Sequence, residues 1–333
     1  MTASTLAPPD PAEGSATVQA GVRPVESRKE RRKRELLEER DGVIPVQLYG
    51  LKRGTVSVMT ACCVLFALFT LVPIVWIIVN STKTQANIFG TFGFWFARPF
   101  EFFHNFRMLF EDVDDDGTYI HWFANTALYA LLGGVGATAL AAFAGYGFAR
   151  FAFRGSKVLF YIIIGALLVP IGAITLPLYL VYAKAHLINS IWGMVLPSLV
   201  SPVGVYLMRT YISLSVPREL IDAARIDGAS ETRIFWRIAL PLMVPGLMTV
   251  LLLSVVGVWN NYFLPLIIFS NNNLFPLTVG MGLWSQHATT SGDQNLYPLI
   301  VMGGLVTIAP LIILFLILQR YWRGGMLLGS IAN

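Results

Sequence analysis

Residues 54–79 read GTVSVMTACCVLFALFTLVPIVWIIV, and no Lys, Arg, Asp or Glu interrupts them. About 20 apolar residues in an α-helix cover the roughly 30 Å hydrocarbon core of a bilayer, so this stretch predicts a membrane-spanning helix. Working outward, comparable runs occupy about residues 119–148, 158–183, 191–208, 242–270 and 297–318. The 333-residue chain is 55% hydrophobic and 13% charged, whereas a soluble domain carries about 25% charged residues. The expectation is an all-α polytopic membrane protein with about six transmembrane helices.

The segments between the runs set the orientation. Basic residues gather before the first span, at 149–157, at 209–240 and after the sixth (Arg320, Arg323). Those four segments fall on one side when the spans are counted alternately, and the positive-inside rule makes that side the cytoplasm, both termini included. The cluster Glu111, Asp112, Asp114, Asp115, Asp116 lies on the other side and agrees with this. Residues 1–50 read as a disordered cytoplasmic tail, with Arg28-Lys29-Glu30-Arg31-Arg32-Lys33-Arg34-Glu35 as a basic segment held near anionic lipid rather than nucleic acid. No secretory signal peptide is legible in residues 1–24. The two cysteines, Cys62 and Cys63, sit inside an apolar run without metal-ligand spacing, and the four histidines form no ligand-spaced pair. No metal and no cofactor is expected.

The spans lack a central ionisable residue, which proton- and ion-coupled carriers usually possess. No GxxxxGK[ST] phosphate loop occurs, so energy for active transport must come from a partner. Small residues at Gly133, Ala137, Ala141, Gly145 and Ala149 recur every four positions and predict a face for close helix packing, not ligand contact. Prolines at 73, 170, 177, 197, 202 and 310 can each kink or unwind a helix, as a pathway with moving parts needs.

The interruption at 217–241 reads PRELIDAARIDGASETRIFWRIALP. It predicts a helix-turn-helix outside the membrane. Pro217 and Glu219 suit a helix start, Gly228 suits a left-handed stop, and Ser230 suits the N-cap of a second helix. Ile234, Phe235 and Ile238 share one face of that second helix, and Pro241 marks the return to the membrane. The residues alone leave open whether this is a docking element or a loop packed on its own bundle.

The spacing of Ala223, Ala224, Gly228, Ile238, Leu240 and Pro241 resembles the EAA loop of bacterial ATP-binding-cassette (ABC) importer permeases, with Asp222 in place of the usual Glu. Ile226-Asp227-Gly228-Ala229, Trp259–Leu266 and Pro276–Gly280 are similar to the carbohydrate, maltose-type branch. The resemblance covers about residues 54–325. It implies a type I importer permease fold over residues 51–333 in a bacterial plasma membrane, without a catalytic site. It further implies an ABC ATPase dimer docked on the loop, a second related permease and an extracytoplasmic solute-binding protein. Glu219, Asp222, Arg225, Asp227 and Arg233 are then available for polar contacts with the ATPase.

A neutral sugar needs hydrogen bonds and aromatic faces, and Trp259, Asn260, Asn261 and Tyr262 offer both within the fifth span, although asparagines there also serve helix–helix bonding. Residues 271–295 read as a polar outer loop that the resemblance directs to the binding protein. A self-sufficient carrier or channel leaves the 217–241 loop unexplained. An intramembrane enzyme would need a GxSxG, HExxH or paired-aspartate signature that the sequence lacks.

Overall fold

The computed structural model describes residues 53–111, 119–290 and 296–329. The tail of residues 1–50 and the aspartates at 112–116 lie outside them. The chain divides into two compact units, Met1–Phe66 and Ala67–Asn333, and the helix bundle belongs to the second. Among the described residues five helices are long and apolar enough to cross a membrane, and a bent pair makes a sixth if it counts as one span.

Helix α1, Arg53–Asn80, is the first predicted span. Its apolar side chains point outward, Phe69 being 73% exposed, as suits contact with lipid. Just beyond it the chain turns back on itself. The Asn105 amide donates to Ser81 O and Lys83 O at 2.9 and 3.0 Å, and Lys83 Nζ donates to Phe92 O at 3.0 Å. Lys83 is fully buried, and desolvation lowers its pKa. Two short helices follow, α2 (Gln85–Gly90) and α3 (Phe102–Phe110).

Helix α4, Tyr119–Arg150, is the spine of the bundle: 32 residues, about 48 Å long at 1.5 Å per residue. Its predicted small face is buried at Gly133, Ala137, Ala141 and Gly145. A Cβ added at Gly134 would lie 2.4 Å from Val255 Cγ2, and one at Gly145 would lie 2.6 Å from Met208 Cβ and 2.9 Å from Arg209 N. Backbones thus approach more closely than any side chain allows, which is how helices associate inside a membrane.

The third predicted span is broken. Helix α5 (Ser156–Gly165) runs through a 3₁₀ turn and then meets α6 (Ile171–Lys184) at 105°. Pro170 sits at the break with extended backbone, because it can neither donate a helical hydrogen bond nor leave its predecessor helical. The fourth span comprises α7 (Ile191–Ser198) and α8 (Pro202–Ser215), interrupted at Ser201, whose Oγ caps α8 by accepting from Gly204 N. Helix α9, Arg218–Ile226, is the first arm of the predicted helix-turn-helix.

The second arm is not separate from the fifth span. Helix α10 (Glu231–Ile234) passes through a π turn, Phe235–Ala239, directly into α11, Leu240–Trp259. Pro241 has no N–H to give Arg237 O, and Leu240 N reaches five residues back to Phe235 O. This helix ends at Trp259, short of the predicted Ser270, and a turn leads into α12, Phe263–Ile268. The expected outer loop contains a helix, α13, Leu277–Thr290, with Leu277, Val279, Gly280, Trp284 and Ala288 buried. Helix α14, Leu296–Gly329, runs well past the predicted end of the sixth span.

Two buried clusters lie toward opposite ends of α4. Tyr119, Trp122, Tyr129 and Ala130 join Trp259, Phe269, Phe275, Trp284 and Met302 in one. Ala141, Ala142 and Tyr146 join Met208, Ile212, Ile234, Phe235 and Met243 in the other.

Candidate functional site: a docking loop and a membrane cavity

The loop folds as its residue types require. Helix α9 starts after Pro217, carries Glu219 in its first turn and stops at Gly228, whose φ of +77° favours glycine. Ser230 Oγ accepts from Arg233 N at 3.3 Å and caps the second arm. Ile221, Ala224, Ile234 and Phe235 face inward and belong to the second buried cluster. Ala224 is therefore turned into its own bundle, and Ile238 and Leu240 pack beside that cluster. Exposed on the other side are Glu219, Ala223, Asp227, Gly228 and Arg233, together with Leu220 and with Ile226, which is 87% exposed.

Leu220, Ala223 and Ile226 follow one another every three residues and form an outer apolar ridge. Sequence reasoning missed Leu220 and Ile226, although the i, i+3, i+6 spacing was there to be read. Two polar groups expected to be available for a partner are engaged within the loop. Arg225 Nε bonds Glu231 Oε1 at 2.6 Å and its Nη1 bonds Asp222 Oδ1 at 3.0 Å. The Glu231 hydrogen bond is the larger cause raising the Arg225 pKa, with Asp222 adding to it. This clasp ties the two arms across the Gly228 turn, and the short side chain of Asp222 suffices to reach it.

At the base of the loop stands Arg150, the last residue of α4. Its guanidinium donates to Ile212 O at 2.6 Å and to Val216 O. A cavity of about 250 Å³ beside it is lined by Arg150, Arg218, Ile221, Asp222 and Arg225. The sequence marked Arg150 only as part of a basic turn, since its partners lie 62 and 66 residues away.

Within the membrane region α4, α6, α7, α8, α11 and α12 enclose a cavity of about 450 Å³. Its polar lining comprises Thr175, Tyr179, Ser198, Ser201, Ser254 and Asn261 among many aliphatic side chains. The break between α7 and α8 and the end of α11 open onto it, so interrupted helices supply its polar groups. The four residues expected along a pathway separate here. Only Asn261 lines the cavity, where its Oδ1 accepts from Leu264 N at 3.4 Å. Trp259 is buried against Phe123, and its Nε1 has no partner among the described residues. Asn260 bonds back to Val256 O within its own helix, and Tyr262 rests against Gly282. Among the described residues no group of three or more His, Cys, Asp or Glu could hold a metal ion.

Residues 134–326, which include α4 from Gly134, the loop and the cavity lining, match the family described as binding-protein-dependent transport system inner membrane component. The chain belongs to this family. This ABC importer permease is 34% identical over 229 residues to the arabinooligosaccharides transport system permease protein AraQ of Bacillus subtilis, covering 69% of this chain and 78% of that one. It is 27% identical to the melibiose/raffinose/stachyose import permease protein MelC of the same organism, covering 83% and 97% of the two chains. Its fold matches a chain in the crystal structure of a bacterial ABC transporter involved in the import of the acidic polysaccharide alginate. The TM-score is 0.68 at 22% identity, with 82% of this permease and 99% of that chain covered. The permease is a multi-pass membrane component of an importer that works with an ATPase and a solute-binding protein.

Proposed function

We propose that this permease passes a sugar or oligosaccharide into a bacterial cell, driven by an ATPase dimer seated on the 217–241 loop. One observation carries the docking assignment. The loop's inner face is fixed to the bundle, while Leu220, Ala223 and Ile226 form an apolar ridge beside the open Gly228 turn, where an added Cβ would meet nothing within 4 Å. Such a knob suits a groove on a partner. Glu219, Asp227 and Arg233 flank it as polar rim, and the clasp of Asp222, Arg225 and Glu231 holds the two arms in register. The distribution of basic residues favours a cytoplasmic loop and cytoplasmic termini.

Sugar as the substrate class is supported by the relatives named for arabinooligosaccharides and for melibiose, raffinose and stachyose. The cavity agrees with it, having hydroxyl and amide groups and, among the described residues, no charged side chain on its lining. In this reading a second, related permease faces the cavity to complete the path, an extracytoplasmic binding protein delivers the solute, and residues 1–50 remain a cytoplasmic tail outside the 51–333 permease domain. ATP chemistry resides wholly in the partner.

Three variants test the reading. Asp tolerates the left-handed backbone at 228 better than most residues, so Gly228→Asp adds charge to the ridge with little strain. We expect loss of ATPase co-purification and of uptake, and retention of both would refute the docking assignment. Asn261→Leu should slow uptake with normal assembly, whereas Asn260→Leu should not, and ATPase stimulation by binding protein with a panel of sugars identifies the substrate. Equal uptake by the two asparagine variants would remove the cavity from the path.

A further inference from the structure

We propose that Arg150 is a positioning residue that makes the coupling loop move as one body with the cavity-lining helices; this rests on the docking reading of the 217–241 loop. Helices α4 and α8 already touch backbone to backbone where Gly145 meets Met208 and Arg209. Arg150 extends that contact past the end of α8. Val216, which accepts one of its bonds, is the C-cap of α8 and is buried. Only Pro217 separates it from α9. Ile212 O already accepts from Val216 N at 3.2 Å, so Arg150 adds a second donor there and supplies one to the Val216 carbonyl at the helix end. A guanidinium supplies two donors and a positive charge at the negative end of the helix dipole.

Among the described residues α9 also meets the bundle through the apolar side chains of Ile221 and Ala224. Apolar contact is non-directional and permits sliding, whereas the two charged hydrogen bonds that Arg150 Nη2 donates to Ile212 O and Val216 O are directional. Arg150 Nε is buried without an acceptor among the described residues. An orphaned buried donor is costly, so packing alone does not favour arginine here. The same helices that Arg150 joins also line the larger cavity, through Ala137 on α4 and Val203, Gly204 and Leu207 on α8. A push on α9 is thereby delivered to the cavity wall, and not absorbed in the Val216-Pro217 joint.

The test uses the complete transporter in liposomes, with its ATPase, second permease and binding protein. Solute imported per ATP hydrolysed is compared for wild type, Arg150→Ala and Arg150→Lys. We expect Arg150→Ala to retain the ATPase on purification while solute per ATP falls about tenfold. Arg150→Lys keeps the charge and a nitrogen that can donate twice, but not the rigid planar group, and should recover part of the loss. An unchanged ratio in Arg150→Ala overturns the proposal, and so does failure of both variants to assemble, which would make Arg150 a folding residue. A wild-type complex that never retains the ATPase would instead refute the docking reading beneath it.

Discussion

The two buried clusters of this permease are held together differently. The one near the start of α4 is aromatic and bonded through side chains to distant backbone. Tyr119 Oη donates to Gly303 O at 2.8 Å, Tyr129 Oη to Leu274 O at 3.0 Å, and Asn125 Nδ2 to Asn273 O and Phe275 O. Leu277 N donates to the buried Thr126 Oγ1 at 2.7 Å. Trp122 packs edge to face on Trp284, with ring centroids 4.9 Å apart. The cluster beneath the coupling loop is instead mostly alanine, methionine, isoleucine and valine. Small and aliphatic side chains pack without directional bonds, whereas bonded aromatics specify one arrangement. One end of the bundle is specified by directional bonds, and the other, beside the proposed docking loop, mainly by apolar packing.

The largest expected effect falls at the fixed end. A Cβ at Gly280 would lie 2.1 Å from two ring atoms of Trp122. Gly280→Val should cost about 3 kcal/mol or more and abolish folded protein, as a thermal melt of the purified complex would detect. Gly145→Ala at the other end meets the Met208 side chain and the Arg209 backbone, but adds one methyl to a less bonded core; about 2 kcal/mol is expected there, and an equal loss at both ends would erase the contrast. Thr126→Val leaves a buried N–H without its acceptor, and the same melt should register about 1 kcal/mol. Smallest is Arg225→Ala. Its ion pairs are exposed, so the melting temperature should hold while ATPase retention falls at low salt and depends less on salt than in the wild type. A clear drop in melting temperature would show that the clasp belongs to the fold and not to the docking surface.

What the sequence disclosed depended on the length scale of each signal. Spans declared themselves through some twenty uncharged residues apiece, and the turn at Gly228 and the cap at Ser230 are written in adjacent residues. The 105° break was half legible, since Pro170 was visible but not what it would do. Helix α13 was hidden by its own composition. Residues such as Thr278, Gly280, Gly282 and Ser285 read as a loop, and become a helix because Gly280 admits the Trp122 ring. The candidate site divided in the same way. Local spacing marked Gly228 and Ala223, but whether Ala224 or Ala223 faces outward depends on the bundle beneath. Arg150 was beyond reach because its acceptors are backbone atoms, which have no residue type to recognise.

The glycine contacts carry a consequence for the history of such chains. Where glycine is already the smallest side chain possible, a substitution survives only if the residue opposite shrinks in step. Gly134 with Val255 and Gly280 with Trp122 should therefore covary as pairs among relatives, whereas Gly145, which faces Met208 Cβ and the Arg209 backbone, should stay glycine. Each pair joins segments far apart in the chain, so a recombinant stitched between two relatives within α4 would inherit mismatched halves, while one joined in the N-terminal tail would not.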